Sequence, residues 1–279
     1  MRVFLLALLI AAPVSAQPVR SDPPRNVDHP ARMEVLHIPS GDVSINGVGY
    51  MAAGAGRHPT IVIAHGWPGN EKNLDLAQAV RRAGWNAITF NYRGSWGSPG
   101  AFRFAQVPQD TAAVLAYLRR PAVADRLGID PGRLVLAGHS MGAWATAKVA
   151  ASDAALRGAI TISLADLGLV GNAPRAQLVE RSAMNAETLA GTTPLMMADE
   201  LIANAAANRA AAGAAALATL PMLVLTSDDG LAPGSDSLVA AVRAAGGTQV
   251  TTAHVATDHS WSDARLRLAD LVTAWLAGL

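Results

Sequence analysis

A serine flanked by glycines is the first candidate for chemistry in this sequence. Residues 138–142 read Gly-His-Ser-Met-Gly, with Ser140 at the centre. The segment follows a strand-like run at 133–137 and precedes a helical pattern that starts at Met141. A tight strand-turn-helix would lift the hydroxyl above a sheet edge, at a helix N-terminus that favours negative charge. The alternative is a glycine-rich turn with an incidental serine.

A serine hydroxyl attacks a carbonyl only when a base takes its proton and a third group orients that base. His259 follows a predicted strand and precedes the last helical pattern, so it is the candidate base. Asp229 is preferred as the acid over its neighbour Asp228, because an acid in such a loop is usually followed four residues later by proline, here Pro233. Asp166, just past the preceding strand, is a further candidate for the same role.

The negative charge that forms on an attacked carbonyl needs fixed hydrogen-bond donors. Residues 65–69 read His-Gly-Trp-Pro-Gly and follow a predicted strand. The backbone N–H groups of Trp67 and Met141 are the candidate donors. His65 has no partner at metal-ligand spacing, so we predict no metal site and expect its hydrogen bonds to hold the loop. The candidate pocket residues are His65, Trp96 and His139, with core packing as the alternative for Trp96.

These residues need a sheet whose strands end at one edge. Short apolar runs rich in β-branched residues are typical of strands buried on both faces of a parallel sheet, and they occur at 60–64, 87–91, 134–137, 159–163 and 222–226. Two earlier runs, 34–38 and 42–52, suit paired strands. Helical patterns lie between and after the runs, at 74–83, 109–127, 141–151, 235–245 and 262–277. The alternation predicts an α/β fold with a mostly parallel central sheet and helices on both faces.

One stretch breaks this alternation. Residues from about 165 to 220 contain no strand signal and are rich in alanine, which favours helix. We expect a small helical cap inserted after the sixth strand. The alternative is one long crossover helix with loops.

Composition excludes several classes of function. The 279 residues include no cysteine, which excludes thiol catalysis, disulfides and cysteine-ligated metals. A net charge of +1 without a basic patch argues against nucleic-acid binding. The apolar share of 51% suffices for a sizeable core. The predicted chemistry requires no cofactor.

The N-terminus resembles an export signal. A positive start, an apolar run at 3–12 and small residues before Gln17 predict a signal peptide over 1–16, cleaved after Ala16. The apolar run is about half the length needed to span a bilayer. An N-terminal anchor or a buried helix is the alternative. We therefore expect a periplasmic or secreted protein without a stable membrane span after processing, with an extended leader at 17–33 and one domain at 34–279.

With these motifs assembled, the chain resembles the α/β-hydrolase superfamily, and in particular its serine hydrolase branch of small bacterial esterases and prolyl-oligopeptidase-like catalytic domains. The resemblance rests on five motifs: 65–69, 91–100 (Asn-Tyr-Arg-Gly-Ser-Trp-Gly-Ser-Pro-Gly), 138–142, 228–230 (Asp-Asp-Gly) and 258–260 (Asp-His-Ser). It implies the α/β-hydrolase fold, a triad of Ser140, Asp229 and His259, an oxyanion hole at Trp67 and Met141, and a loop-anchoring role for Arg93.

The reaction expected from these residues is hydrolysis of a carboxylic ester through a covalent acyl-enzyme. A serine aminopeptidase or amidase that acts on short peptides is the second hypothesis, and an N-terminal amide substrate would need an acidic residue near the pocket, which the sequence does not locate. A non-catalytic, exported binding domain on the same scaffold belongs to a different class. The expected substrate is thus a small-molecule ester or a short peptide.

Overall fold

An eight-stranded sheet forms the centre of the computed structural model, which describes residues 21–279. The predicted signal peptide lies outside the described residues, and 21–31 contain no helix or strand. The strands are β1 (Arg32–Ser40), β2 (Val43–Met51), β3 (His58–Ala64), β4 (Asn86–Phe90), β5 (Ile129–His139), β6 (Gly158–Ile162), β7 (Met222–Ser227) and β8 (Val250–Val255). Their order is β1-β2-β4-β3-β5-β6-β7-β8. β2 pairs antiparallel with both β1 and β4, whereas β4, β3, β5, β6, β7 and β8 run parallel to one another. The predicted, mostly parallel sheet is therefore confirmed.

The central strands are buried on both faces, as their β-branched, apolar sequences predict. Every residue of β4 and of β6 is buried. Along β3, successive side chains alternate between two separate cores, with Ile61 and Ile63 in one and Val62 in the other. Each core is closed by helices on its own side of the sheet.

The helices are α1 (Leu74–Arg82), α2 (Gln106–Leu118), α3 (Pro121–Leu127), α4 (Met141–Ala150), α5 (Leu167–Val170), α6 (Arg175–Met184), α7 (Pro194–Ala203), α8 (Ala214–Leu217), α9 (Ala232–Ala244) and α10 (Arg265–Leu276), with a 3₁₀ turn at Ala210–Gly213. α1 and α10 cover one face, and α2, α4 and α9 cover the other. None of the helices within residues 21–279 combines the length and the apolar character that crossing a bilayer requires.

The prediction of one helix over 109–127 is wrong. Two helices, α2 and α3, occupy this stretch, and the break comes at Pro121, the first residue of α3. A proline has no N–H to donate inside a helix, and it forces the preceding residue out of the helical region. Arg120 is accordingly extended, with φ −63° and ψ 127°.

The helical insertion predicted after the sixth strand is present as α5 to α8, and the alternative of one long crossover helix is wrong. Its main chain pairs with the loop after β4: the N–H of Ala190 donates to the carbonyl of Gly94 (2.7 Å), and the N–H of Phe102 donates to the carbonyl of Ala190 (2.9 Å). A further bond joins the N–H of Trp96 to the carbonyl of Thr188 (3.0 Å). The cap is therefore fixed to the loop of the 91–100 motif.

A buried ion pair holds that loop to the sheet. Asp110 of α2 is fully buried, and its Oδ1 lies 2.6 Å from Nε of Arg93. The carboxylate also accepts hydrogen bonds from the N–H of Arg93 (2.9 Å) and from the hydroxyl of Ser40 (2.5 Å). Arg93 thus anchors the loop, as the resemblance implies.

Replacing Asp110 with Asn should lower the free energy of unfolding by about 3 kcal/mol, because the Arg93 guanidinium would stay buried without its counter-charge. Urea unfolding would measure the change. The matched control is Asp125→Asn, which breaks an exposed pair with Arg57 and should cost less than about 1 kcal/mol. Equal effects of the two changes would show that the Arg93 pair has no special role.

Candidate active site

Ser140 occupies a sharp turn between β5 and α4. Its φ of 58° and ψ of −119° are rare for a residue other than glycine, so the backbone is strained at this point. The flanking glycines permit the turn: an added Cβ at Gly138 would lie 2.1 Å from the carbonyl oxygen of Gly142, and one at Gly142 would lie 2.1 Å from that of Ala64. The N–H of Ser140 donates to the carbonyl of Ile162 (2.9 Å), which ties the turn to β6.

The loop at 65–69 passes directly beside this serine. An added Cβ at Gly66 would lie 2.9 Å from Cβ of Ser140. The backbone N–H groups of Trp67 and Met141 donate to no acceptor within residues 21–279. Two free main-chain donors near a hydroxyl suit an oxyanion hole, and Met141 adds the positive end of the α4 dipole.

Two of the predicted pocket residues, His65 and Trp96, support this loop and do not line the cleft around the serine, which is a correction. The indole N–H of Trp96 donates to the carbonyl of Pro68 (2.7 Å), and Nζ of Lys72 lies 4.1 Å from the centroid of its ring. His65 is buried beneath the loop, and its Nδ1 lies 2.8 Å from the carbonyl oxygen of Gly66. Both side chains contact the loop, and for His65 this agrees with the role expected from the sequence.

The candidate base and acid are in contact. Nδ1 of His259 lies 2.7 Å from Oδ2 of Asp229, whose side chain is only 3% exposed. Burial alone would raise the pKa of Asp229, but hydrogen bonds from His259, from the N–H of Leu231 and from the hydroxyls of Ser163 and Ser227 hold that pKa well below its usual range. The carboxylate is therefore ionised, and it fixes the orientation of the imidazole.

The geometry separates the three candidate acids. Asp228 is 64% exposed, and its Oδ1 lies 3.1 Å from Nε2 of His254 on β8. Asp166 caps α5 by accepting from the N–H of Gly168 (2.9 Å) and is bound by Nε of Arg209 (3.2 Å). Of the three, Asp229 is the one that contacts His259.

A hydroxyl network behind Asp229 is a feature that sequence reasoning missed. Ser163 and Ser227 follow and end neighbouring parallel strands, and their Oγ atoms lie 2.8 Å apart. The indole N–H of Trp261 donates to Oγ of Ser163 (3.1 Å), so the hydroxyl proton of Ser163 remains available for another acceptor. The available signal was their position at or directly after the ends of the predicted strands 159–163 and 222–226, the second of which leads into Asp229.

His139, the third predicted pocket residue, lies against the candidate base. Its ring centroid is 4.7 Å from that of His259, and its Nε2–H donates to the backbone carbonyl of His259 (2.7 Å). Burial, followed by the nearby His259 ring, lowers the pKa of His139 to about 4. The neutral imidazole of His139 thus packs against the imidazole of His259, the candidate base.

Ser140 and His259 line one cleft of about 190 Å³. The other lining residues are 66–71, His139, Ser260 and, from the end of α6 in the cap, Asn185. The Ser140 hydroxyl makes no hydrogen bond to any residue in 21–279, and such contacts commonly tighten only when substrate binds. Within the same residues no three histidine or carboxylate side chains are grouped so as to hold a metal ion. Sequence reasoning missed Glu71 and Asn185, since nothing local marks a residue that reaches the cleft through tertiary packing.

Comparisons with known proteins agree with the fold. A family model described as "Alpha/beta hydrolase family" matches residues 61–277. No curated protein matches the chain. Among solved structures, an esterase of Pyrobaculum calidifontis is similar with a TM-score of 0.65 and 17% identity, over 90% of this chain and 86% of the esterase. A thermophilic carboxylesterase from a metagenomic library has a TM-score of 0.62 and 21% identity, over 91% of each chain.

A third similar structure is the acylaminoacyl peptidase of Pyrococcus horikoshii, with a TM-score of 0.63 and 16% identity. The similarity covers 87% of this chain but only 41% of that peptidase. At these identities, the solved structures establish a shared fold.

Acid should destabilise this protein through two buried histidines. Burial lowers the pKa values of His65 and His139 to about 4, so between pH 6.5 and pH 4 the unfolded chain binds protons that the folded chain does not. The free energy of unfolding therefore falls as pH falls through this range, by about 3 kcal/mol for each histidine. In His139→Gln the fall should be smaller by that amount, because glutamine cannot be protonated there.

Urea unfolding at several pH values between 7 and 4 would measure this difference. His37→Gln on β1, where the side chain is exposed, serves as the control for replacing any histidine. An unchanged pH dependence in His139→Gln would contradict the assignment of a neutral, buried imidazole.

Proposed function

This chain belongs to the alpha/beta hydrolase family, and we propose that it is an exported serine hydrolase that cleaves carboxylic esters. The observation that carries the proposal is one cleft that holds a strained Ser140 and a His259 oriented by a buried carboxylate. The unused N–H groups of Trp67 and Met141 complete the chemistry that acyl transfer requires.

The proposed reaction has two acyl-transfer steps. Nε2 of His259 accepts the Ser140 proton while the oxygen attacks the ester carbonyl, and the oxyanion is bound by the N–H groups of Trp67 and Met141. Asp229 stabilises the imidazolium, which then protonates the departing alcohol and leaves an ester on Ser140. Water attacks that ester with the same proton transfers, so that a carboxylic acid leaves and the serine is restored.

A small cleft favours short acyl groups. A volume of about 190 Å³ is below the range of sites that enclose drug-sized ligands. Asn185 of the cap forms part of the cleft wall and limits the space for an acyl group further. Ester substrates are also supported by two of the similar structures, which are esterases.

Cleavage of short peptides is the second candidate function. Glu71 is a carboxylate in the cleft, and an enzyme that recognises the free amino end of a peptide needs such a residue. One of the similar structures is an acylaminoacyl peptidase. Parallel assays with 4-nitrophenyl esters and aminoacyl anilides would decide between ester and amide substrates.

Export is supported by the sequence of residues 1–16. Mass spectrometry of the protein recovered outside the cytoplasm should find Gln17 at its N-terminus. A protein that retains Met1 would contradict the proposed cleavage.

Ser140→Ala should reduce ester hydrolysis at least about 10³-fold, because it removes the hydroxyl that forms the acyl-enzyme in the proposed reaction. Rates on 4-nitrophenyl acetate would measure the loss, and circular dichroism would show that the fold is intact. The wild-type protein should also bind a fluorophosphonate probe covalently, whereas the variant should not. A variant with a tenth of the wild-type rate would refute the serine assignment, and an unreactive wild type would favour a non-catalytic binding domain.

Asp229→Asn should lower kcat by about 10⁴-fold, because an amide neither stabilises an imidazolium nor holds the required tautomer. The neighbouring Asp228→Asn removes the same charge from an exposed side chain that contacts His254, and it should change kcat less than about twofold. The reverse pattern would identify Asp228 as the acid.

A further inference from the structure

Glu71 is the only charged side chain among the residues that line the cleft, apart from the titratable imidazoles. The remaining lining residues are glycines, aromatic and polar side chains and Pro68, with neither lysine nor arginine. A cleft of this kind offers nothing to neutralise an anionic substrate. It offers one carboxylate to a cationic substrate.

The Glu71 carboxylate has an unused oxygen. Its Oε1 accepts a hydrogen bond from the N–H of Asn73 and lies 3.7 Å from a guanidinium nitrogen of Arg265. Its Oε2 has no partner within residues 21–279, and the side chain is 31% exposed. One oxygen therefore fixes the side chain in place, and the other is free to bind a ligand.

The nearest cation does not cancel this charge. Arg265 binds Asp75 through two nitrogens, with Nε 2.8 Å from Oδ2. Its positive charge is shared among Asp75, Glu71 and Asp258, which leaves an excess of negative charge on this side of the cleft.

Lys72, the next residue along the chain, is engaged in contacts of its own. Its Nζ donates to Oδ1 of Asn91 (3.1 Å) and lies over the ring of Trp96, which supports the loop and does not line the cleft. Negative potential in a half-enclosed cleft attracts cationic ligands and repels anionic ones.

We propose that the substrates of this site carry a cationic group, an ammonium or a quaternary ammonium, and that Glu71 determines this specificity. The inference rests on the proposed function, because it concerns the substrate of the same cleft. Glu71 acts by attraction to a remote charge and takes no part in the proton transfers.

Isosteric pairs of esters test the inference, because the two members of a pair differ in charge but have the same shape. Acetylthiocholine and S-(3,3-dimethylbutyl) thioacetate differ only in a quaternary nitrogen or carbon in the leaving group. The 4-nitrophenyl esters of 4-(trimethylammonio)butanoate and 5,5-dimethylhexanoate differ in the same way in the acyl group. Thiol release can be followed directly with a thiol reagent, because the chain contains no cysteine.

Wild-type protein should hydrolyse the cationic member of at least one pair with kcat/KM about tenfold above that of its neutral partner. Glu71→Gln keeps an oxygen for the Asn73 N–H and removes the charge, so the ratio of kcat/KM for the cationic ester to that for its neutral partner should fall to within twofold of one. The wild-type preference should also shrink in 1 M salt, where the Debye length is about 3 Å.

Asp130→Asn is the matched control, because it removes one carboxylate near the N-terminal end of β5, at the sheet edge opposite Ser140. It should leave the preference intact. The inference would be overturned if wild-type protein hydrolysed the neutral esters without preferring the cationic member of either pair. It would also be overturned if the preference survived in Glu71→Gln. Either result would leave the proposed function standing. Failure of wild-type protein to hydrolyse any of the four esters would overturn the proposed function and the inference together.

Discussion

The parallel register of the central strands is the constraint on which the candidate site depends. Ala64 at the end of β3 pairs with Gly138 of β5, His139 pairs with Ile162 of β6, and Ile162 pairs with Leu225 of β7. The chain therefore leaves these four strands at one edge of the sheet and at nearly one height. The turn that carries Ser140, the loop that carries Trp67 and the turn that carries Asp229 all begin there, so contacts between distant parts of the sequence follow from hydrogen bonding between strands.

Burial of the Asp229 charge is the main electrostatic cost at this edge of the sheet. A carboxylate that is 3% exposed is unstable unless donors surround it, and here they come from an imidazole, a backbone N–H and two serine hydroxyls. The donors lie at the end of β7 and in the segments that follow β6, β7 and β8. The same charge that fixes His259 thus also draws the strand ends together, which links the stability of the edge to the geometry of the site.

Much of this arrangement was predictable from local patterns, and the remainder was not. Strand runs, the glycine spacing around Ser140 and the helical insertion are encoded in short stretches, and the structure agrees with them. The break between α2 and α3 is marked in the sequence by Pro121, which interrupts a stretch with an otherwise helical pattern. Asn185 reaches the site only through tertiary packing, and no property of its neighbours in the sequence distinguishes it from other polar residues. His65 and Trp96 show the converse, because both belong to motifs around the site but support a loop and do not line the cleft.

The cap and the oxyanion loop are mechanically connected through the segment after β4. Ala190 of the cap pairs with Gly94, the indole of Trp96 in the same segment binds the carbonyl of Pro68, and Pro68 directly follows the proposed donor Trp67. The contacts that Gly94, Trp96 and Phe102 make with the cap are main-chain hydrogen bonds, so they tolerate changes of side chain. A cap attached in this way can vary in sequence and alter the cleft wall, as Asn185 does here, while the donor stays in place. Substrate choice and acyl-transfer chemistry can therefore diverge independently on one scaffold, which fits a fold shared at identities of 16% to 21% with two esterases and a peptidase.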